Sequence, residues 1–309
     1  MEDLYKRKKE RSLVNSILMM CAISAGYLLL SYLLIGFRPE QIILLVLINS
    51  LYFSSAKTRE LLIVLLPFII FWIVFDYMKA FPNYSYNTVH IESLYDSEKK
   101  LFGFYDLGKI VTPNEYFLAH SKRFLDVLTG FFYLSWVPVP LAFTIYLFFA
   151  KRQEALNFSI TFLLVNLLGF TIYYVYPAAP PWYVEFHGFH FNALTPGNPA
   201  GLIRFDHAMN WKLFESMYKE SSNVFAAMPS LHSAYPLILF YFGLKNKMGK
   251  INILFGLLMV GIWFAAVYNS HHYILDVIAG IGCALLGIAI YRVINKNNKL
   301  FKITTGKSV

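Results

Sequence analysis

Two short clusters hold the side chains able to do chemistry. One reads Met228-Pro229-Ser230-Leu231-His232-Ser233 and the other Ser270-His271-His272-Tyr273-Ile274-Leu275-Asp276. His272 and Asp276 are four residues apart, a spacing that on a helix puts both on one face, one turn apart. A carboxylate placed there accepts a hydrogen bond from one ring nitrogen, fixes the tautomer and leaves the other nitrogen as a nucleophile. His271 points to a different side of such a helix and is expected to be a supporting polar residue. In the first cluster, Pro229 near the first position marks a helix start, where free N–H groups suit an anion such as phosphate. Ser230 adds a hydroxyl donor. His232, in the first turn, can protonate a leaving oxygen or deprotonate an incoming hydroxyl. Each cluster alone also has an everyday reading, as a His–Asp pair anchoring two helices and as a capped helix with a solvated histidine.

The elements that must position these residues are membrane spans. Between the clusters lie about two membrane-crossing lengths of apolar residues, so an out-and-back pair returns both clusters to one membrane face. The 309 residues are 57% hydrophobic and only 15% charged, with a mean hydropathy of +0.51, which is far from a soluble domain with about 25% charged residues. The two cysteines, Cys21 and Cys283, fall in apolar stretches and imply neither a disulfide framework nor a zinc site. A net charge of +9 could suggest nucleic acid, but the basic residues cluster between apolar spans and at the ends, which is a signature of membrane orientation. No cleavable signal pattern is expected at the N-terminus, because the first apolar stretch is too long.

The hydropathy predicts an all-α, polytopic helix bundle of about eight transmembrane helices with two long external loops containing interfacial helices. A basic cytoplasmic N-terminus covers residues 1–12, and three spans follow at 13–36, 41–56 and 61–78. An external loop, 79–123, is expected to contain an interfacial helix over 90–102 and a sequon, Asn83-Tyr84-Ser85. A five-helix region, 124–294, comprises spans at 124–150, kinked near Pro138 and Pro140, and at 155–176, 229–244, 251–268 and 272–294. Its external loop, 177–227, includes an amphipathic segment over 202–218, and a basic cytoplasmic tail covers 295–309. In this arrangement 17 of the 27 Lys and Arg residues are cytoplasmic, and Arg38 is the one external cation in a short loop. The positive-inside rule then sets both termini in the cytoplasm and both clusters at the outer face.

Together the clusters resemble the type 2 phosphatidic acid phosphatase superfamily. Its Pro-Ser-Gly-His motif is matched by Pro229-Ser230-Leu231-His232, with Leu231 in place of Gly, and its His-x-x-x-Asp by His272 and Asp276. The resemblance implies that His272 carries a transient phosphoryl group, that Asp276 orients it, that His232 acts as acid and base, and that no metal or other cofactor is needed. The chain departs from the family where a Ser-Arg pair is replaced by Ala265-Ala266, and where Lys-x6-Arg-Pro has no match ahead of Pro229. Within the superfamily the chain is most similar to the aureobasidin-sensitive inositol phosphorylceramide synthases. That likeness rests on Tyr176-Pro177-Ala178-Ala179-Pro180-Pro181-Trp182-Tyr183, the Pro-Ser-Leu-His-Ser run from 229 to 233, and His271-His272-Tyr273 with Asp276. It covers about residues 122–282, while the first three spans match by hydropathy alone.

These likenesses imply a phospholipid donor, such as phosphatidylinositol, and a lipid-alcohol acceptor, a ceramide. Trp182 and Tyr183 become candidate substrate-binding residues, with Ser230 and His271. Arg204 and Lys212, in the amphipathic segment, are candidates for the phosphate charge that the motifs lack, and Lys122 and Arg123 are others. A lipid phosphate phosphatase is the alternative, since water could replace the acceptor. A proton-coupled transporter is more distant, because such proteins place ionisable residues near mid-membrane and show halved symmetry. The expected setting is a bacterial plasma membrane with the site on the periplasmic face.

Overall fold

The structure, a computed structural model, describes residues 2–219 and 223–297. Every apolar segment expected to span is helical. Helices α1 (Glu2–Ile35), α2 (Pro39–Ser54) and α3 (Ala56–Tyr77) come first. Ser55 ends α2 and caps α3, its Oγ accepting the Thr58 N–H at 3.1 Å. The first of the two stretches expected to be external holds α4 (Glu92–Phe102), a two-stranded hairpin of β1 (Phe104–Asp106) and β2 (Lys109–Val111), and α5 (Pro113–Ala119). The hairpin was not expected. Its tip, Leu107-Gly108, has φ of 47° and 84°, the paired positive values that a two-residue turn with the right twist requires.

Helices α6 (Arg123–Leu134) and α7 (Pro138–Ala150) meet at a 43° bend. The break falls at the expected proline, because Pro138 opens a new helix where it has no N–H to lose. Helix α8 (Arg152–Val175) leads to the second of these stretches, with α9 (Pro181–His187), α10 (Ile203–Met209) and α11 (Leu213–Lys219). The expected amphipathic helix over 202–218 is therefore broken. Asn210 turns into the left-handed region at φ 55°, and the Asp206 carboxylate accepts the Glu215 N–H at 2.9 Å, capping the new helix. The chain ends in α12 (Leu231–Lys245), α13 (Ile251–Tyr268) and α14 (Ile274–Asn297). Of the expected cytoplasmic tail, residues 298–309 lie outside the described residues.

The expected eight spans resolve into helices of unequal length. Among the described residues, five are long and apolar enough to cross a bilayer, or six with the bent α6–α7 pair. With 16 residues in α2 and 15 in α12, these two reach only ~24 and ~22 Å, short of a hydrocarbon core of ~30 Å. Capping residues explain the shortfall: Pro39 and Ser55 bound α2, and Ser230 begins α12 with its Oγ accepting the Ser233 N–H.

Helices α8, α12, α13 and α14 pack together with α6 and α7, and α3 lies along α8. Phe68, Phe71, Phe158, Phe162, Phe170, Tyr235 and Phe242 form one aromatic core. Within lipid, close packing and satisfied polar groups hold helices together more than water exclusion does. Tyr235 accordingly donates to Asn166 Oδ1 at 2.6 Å, while Asn166 Nδ2 donates to the Phe162 carbonyl at 2.8 Å. Gly280 of α14 lies against the Ser230 carbonyl so closely that a Cβ there would collide with it. That contact brings the start of α12 onto the first turns of α14.

The two long connections, 78–122 and 176–230, are knitted into one lid over this bundle. His90 N–H donates to the Pro177 carbonyl at 2.8 Å, Ala178 N–H to Phe225 at 2.9 Å and Ala227 N–H to Ala178 at 3.2 Å. Asn83 is fully buried, and its amide donates to the carbonyls of Tyr173 and Phe225. The sequon asparagine is thus a structural tie, inaccessible to a glycan in the folded chain.

Candidate active site

The close approach of α12 to α14 sets the two histidine clusters face to face. Ser230 N–H donates to the Asp276 carbonyl at 2.9 Å, and α12 begins one residue later. His232 Nδ1 then lies 3.2 Å from His272 Nε2. Behind His272, its Nδ1 lies 3.6 Å from Asp276 Oδ2, an ion-pair separation longer than a hydrogen bond. Asp276 is fully buried, and Oδ2 also accepts the Tyr273 N–H at 2.9 Å. His272 precedes α14 rather than lying within it, so Asp276 reaches back across the N-terminal turn. The spacing argument still holds, because a carboxylate in the first turn naturally faces the residues that enter the helix.

The loop that carries His272 is tightly held. The Ala266 carbonyl accepts the N–H groups of both His271 and His272, at 3.1 and 3.0 Å. Asn114, in α5, donates to the carbonyls of Val267 and His272, at 2.8 and 3.0 Å. Ser270, at φ 58°, donates its hydroxyl to Glu185 Oε1 at 2.6 Å and accepts the Trp182 N–H at 3.0 Å. From α4, Glu98 accepts the N–H groups of Ile274 and Leu275, at 3.0 and 3.1 Å, and so caps α14 from another element. Burial pushes the Glu98 carboxyl up to about 6 and that of Glu185 up to about 7.

His271 is turned away from the His232–His272 pair. Its Nε2 donates to the Pro199 carbonyl at 2.9 Å, and its ring stacks between Tyr133 and Tyr218. Burial, reinforced by neighbouring His272, pushes its pKa down to about 3, so the ring is neutral. Tyr218 donates to the Tyr133 hydroxyl at 3.2 Å, and that hydroxyl lies 3.3 Å from His232 Nδ1. The edge of Trp136 completes the support of the His232 ring.

Two cavities meet at His232. The inner one, about 120 Å³, is lined by His232, His271, His272, Trp182, Asn198 and Asn223, among others. The other, about 370 Å³, runs sideways between α3, α8 and α12 towards α1 and α2, along Phe71, Trp72, Phe170 and Tyr235, with Arg38, Glu40 and Lys79 farther along its lining. Phe75, Tyr173, Tyr218 and His232 line both.

The expected site residues divide accordingly. His232, His271, His272 and Trp182 line the inner cavity, with Asp276 directly behind. Ser230 is close but fully buried, its Oγ accepting from the Ser233 N–H and hydroxyl, so it acts as a cap. Tyr183 faces elsewhere, donating to the His190 carbonyl at 2.6 Å and accepting the Asn192 N–H at 2.8 Å. Arg204 is committed to Asp126 at 2.7 Å, in a network with Tyr268. Lys212 is exposed at the start of α11, and neither cation lines either cavity. Lys122 gives its N–H to the Tyr268 hydroxyl, and it and Arg123 also lie off the cavity walls. Asn114, Tyr133, Tyr218 and Asn223 were not anticipated. Each is a lone polar or aromatic residue without a spacing partner, so nothing local in the sequence marks it.

Comparison with known proteins agrees with this geometry. The PAP2 superfamily profile matches residues 110–290. The chain is 47% identical over 272 residues to a phosphoinositol dihydroceramide synthase of Bacteroides thetaiotaomicron, covering 87% of this chain and 89% of that protein. It is 32% identical over 174 residues to an inositol phosphorylceramide synthase of Candida albicans, covering 54% and 35% of the two chains. With the catalytic subunit of the Saccharomyces cerevisiae inositol phosphorylceramide synthase it shares 34% over 119 residues, covering 38% and 29%. No solved structure matches it. The chain, an all-α membrane protein with paired histidines at the junction of two cavities, belongs to the PAP2 superfamily.

Proposed function

We propose that the protein is a lipid phosphotransferase that moves phosphoinositol from an inositol phospholipid to the hydroxyl of a ceramide-type lipid, through a phosphohistidine. The observation that carries this reading is the 3.2 Å approach of His232 Nδ1 to His272 Nε2, with Asp276 behind, where the two cavities join. The likeness to a phosphoinositol dihydroceramide synthase over most of both chains supports it. The donor's head group occupies the inner cavity and its tails the lateral one, which sets its phosphorus beside the histidines, whose 3.2 Å contact opens to admit it.

In the first half-reaction the His272 Nε2 lone pair attacks phosphorus and the bond to the diacylglycerol oxygen breaks. His232 gives that oxygen a proton, so diacylglycerol leaves neutral. Asp276 holds the Nδ1 proton of His272 as charge develops on the ring. The 3.6 Å separation shortens at that stage, as contacts in an unliganded site commonly do. In the second half-reaction His232, now neutral, takes the proton of the acceptor hydroxyl. The oxygen attacks phosphorus, and the electrons of the breaking N–P bond return to His272.

Water in the acceptor's place would give hydrolysis. The charge inventory argues against a phosphomonoester substrate. Among the described residues lining the two cavities the cations are Arg38 and Lys79, and Lys79 is paired with Asp76 at 2.8 Å. A phosphodiester, with one negative charge, needs less compensation than a dianionic monoester. The basic residues around 151–152 and 245–250 orient the other membrane face to the cytoplasm. The site then opens on the outer leaflet of a bacterial plasma membrane, with both termini inside.

The test uses sealed, right-side-out membrane vesicles and purified protein with head-group-labelled phosphatidylinositol, with and without ceramide. Ceramide-dependent transfer of label from the outer leaflet is expected. His272→Ala should reduce it by more than roughly a thousandfold without loss of folded protein. Release of water-soluble inositol phosphate regardless of ceramide would identify a hydrolase instead, and full activity in the variant would remove His272 as nucleophile.

A further inference from the structure

The inner cavity has a composition that the transfer chemistry leaves unexplained. Among the described residues that line it there is no Asp, Glu, Lys or Arg. Besides the imidazoles, its polar side chains are tyrosines, Trp182 with its indole N–H, and two carboxamides, Asn198 and Asn223. Asn198 is oriented by its own Oδ1, which accepts the Ala200 N–H at 2.7 Å and leaves Nδ2 as its remaining donor. Asn223 is different. Both its Oδ1 and its Nδ2 are buried, and neither has a hydrogen-bond partner. Few buried polar side chains in folded proteins are left in that state, because desolvating a carboxamide without replacing its hydrogen bonds is costly.

The backbone beside Asn223 is fixed. Two residues on, the Phe225 carbonyl accepts both the Ala178 N–H and the Asn83 amide, and the Phe225 ring packs against Tyr183 and Phe191. Asn223 is thus an unpaired donor and acceptor, two residues ahead of an anchored position and among the residues that line the cavity containing the histidines.

We infer that Asn223 is the head-group selector, pairing with a polyhydroxyl ring. A carboxamide offers one acceptor and one donor face side by side, which matches two neighbouring ring hydroxyls, one donating to Oδ1 and one accepting from Nδ2. Asn198 Nδ2 supplies a further donor. An ammonium head group finds no carboxylate among the described lining residues. An uncharged polyol satisfies every one of these groups. This rests on the phosphoinositol-transfer reading and adds what selects the inositol ring within it.

The experiment measures kcat/KM of wild type, Asn223→Ala and Asn223→Asp with a ceramide-type acceptor. The donors are phosphatidylinositol, phosphatidylethanol, whose head group has no free hydroxyl, and inositol lipids lacking one ring hydroxyl. Asn223→Ala should lower kcat/KM for phosphatidylinositol on the order of tenfold to a hundredfold. Its rate on phosphatidylethanol should change about twofold or less, so that the preference collapses. Asn223→Asp keeps the acceptor but loses the donor, and should penalise the intact ring more than one deoxy analogue. If Asn223→Ala retains the wild-type preference, the inference is overturned while the transferase reading stands. Should wild type transfer no phosphoinositol at all, both fall. If the variants fail to fold, the deoxy donors decide on wild type alone: full rates on all of them would overturn the inference, and a loss confined to particular hydroxyls would support it.

Discussion

Glu185 shows how one side chain couples the site to pH. It sits on α9, accepts the Ser270 hydroxyl at 2.6 Å and so braces the loop before His272. Burial pushes its carboxyl up to about 7 from the usual 4.5, with the Ser270 hydroxyl and Arg204 pulling the other way. The folded chain therefore holds a proton that the unfolded chain releases near 4.5. The stabilisation from that proton is complete below pH 4.5 and is lost as pH rises through about 7. Glu185→Gln should remove this slope and raise the unfolding midpoint above pH 7 by a few degrees. Thermal unfolding in detergent across that range is the check, and an unchanged slope would assign the pH dependence to another group. The same loop shows which side chains a sequence can reveal. His272 and Asp276 are legible because four-residue spacing is itself a geometric statement. Asn114, which ties the His272 carbonyl from 158 positions away, leaves no trace in any local pattern, and neither does Asn223.

The N-terminus of α14 is held by groups from other elements as well as its own. Glu98 on α4 takes two N–H groups that α14 cannot pair internally, in the manner of an N-cap supplied from outside the helix. Replacing Glu98 by Ala should cost about 1–2 kcal/mol, read as a lower unfolding midpoint. It should also reduce kcat several-fold with little change in KM, since Asp276 and His272 lose alignment while the cavities persist. A variant with wild-type kcat would reduce the contact to a structural tie with no part in aligning the histidine. Helix α4 itself was legible from its apolar spacing, and the hydropathy marked every spanning helix. Their lengths were not legible. The ends of α12 and the break between α10 and α11 are decided by single capping groups, Ser230 and Asp206, that a hydropathy window averages away.

At the level of the whole chain, hydropathy and charge placement were enough to read a multi-span helical membrane protein. The union of the two long connections was not visible, because it is made by backbone pairing between segments over 80 residues apart, such as His90 with Pro177. Nor was the lateral cavity, whose walls draw on α1, α2 and α3 as well as α8 and α12, and so on helices outside the matched 110–290 region. Under the proposed transfer, that cavity would admit the two lipids in turn. If the inositol phosphate stays in the inner chamber while diacylglycerol withdraws and ceramide takes its place, the two tails can never be present together. Initial rates plotted against each lipid should then give parallel lines, and excess ceramide should inhibit by occupying the cavity before the donor does. Lines that converge would point to both lipids bound at once and to a second opening. With the lipids admitted in turn, flux follows the ratio of the two in the leaflet rather than the abundance of either, and the enzyme works as a gauge of membrane composition.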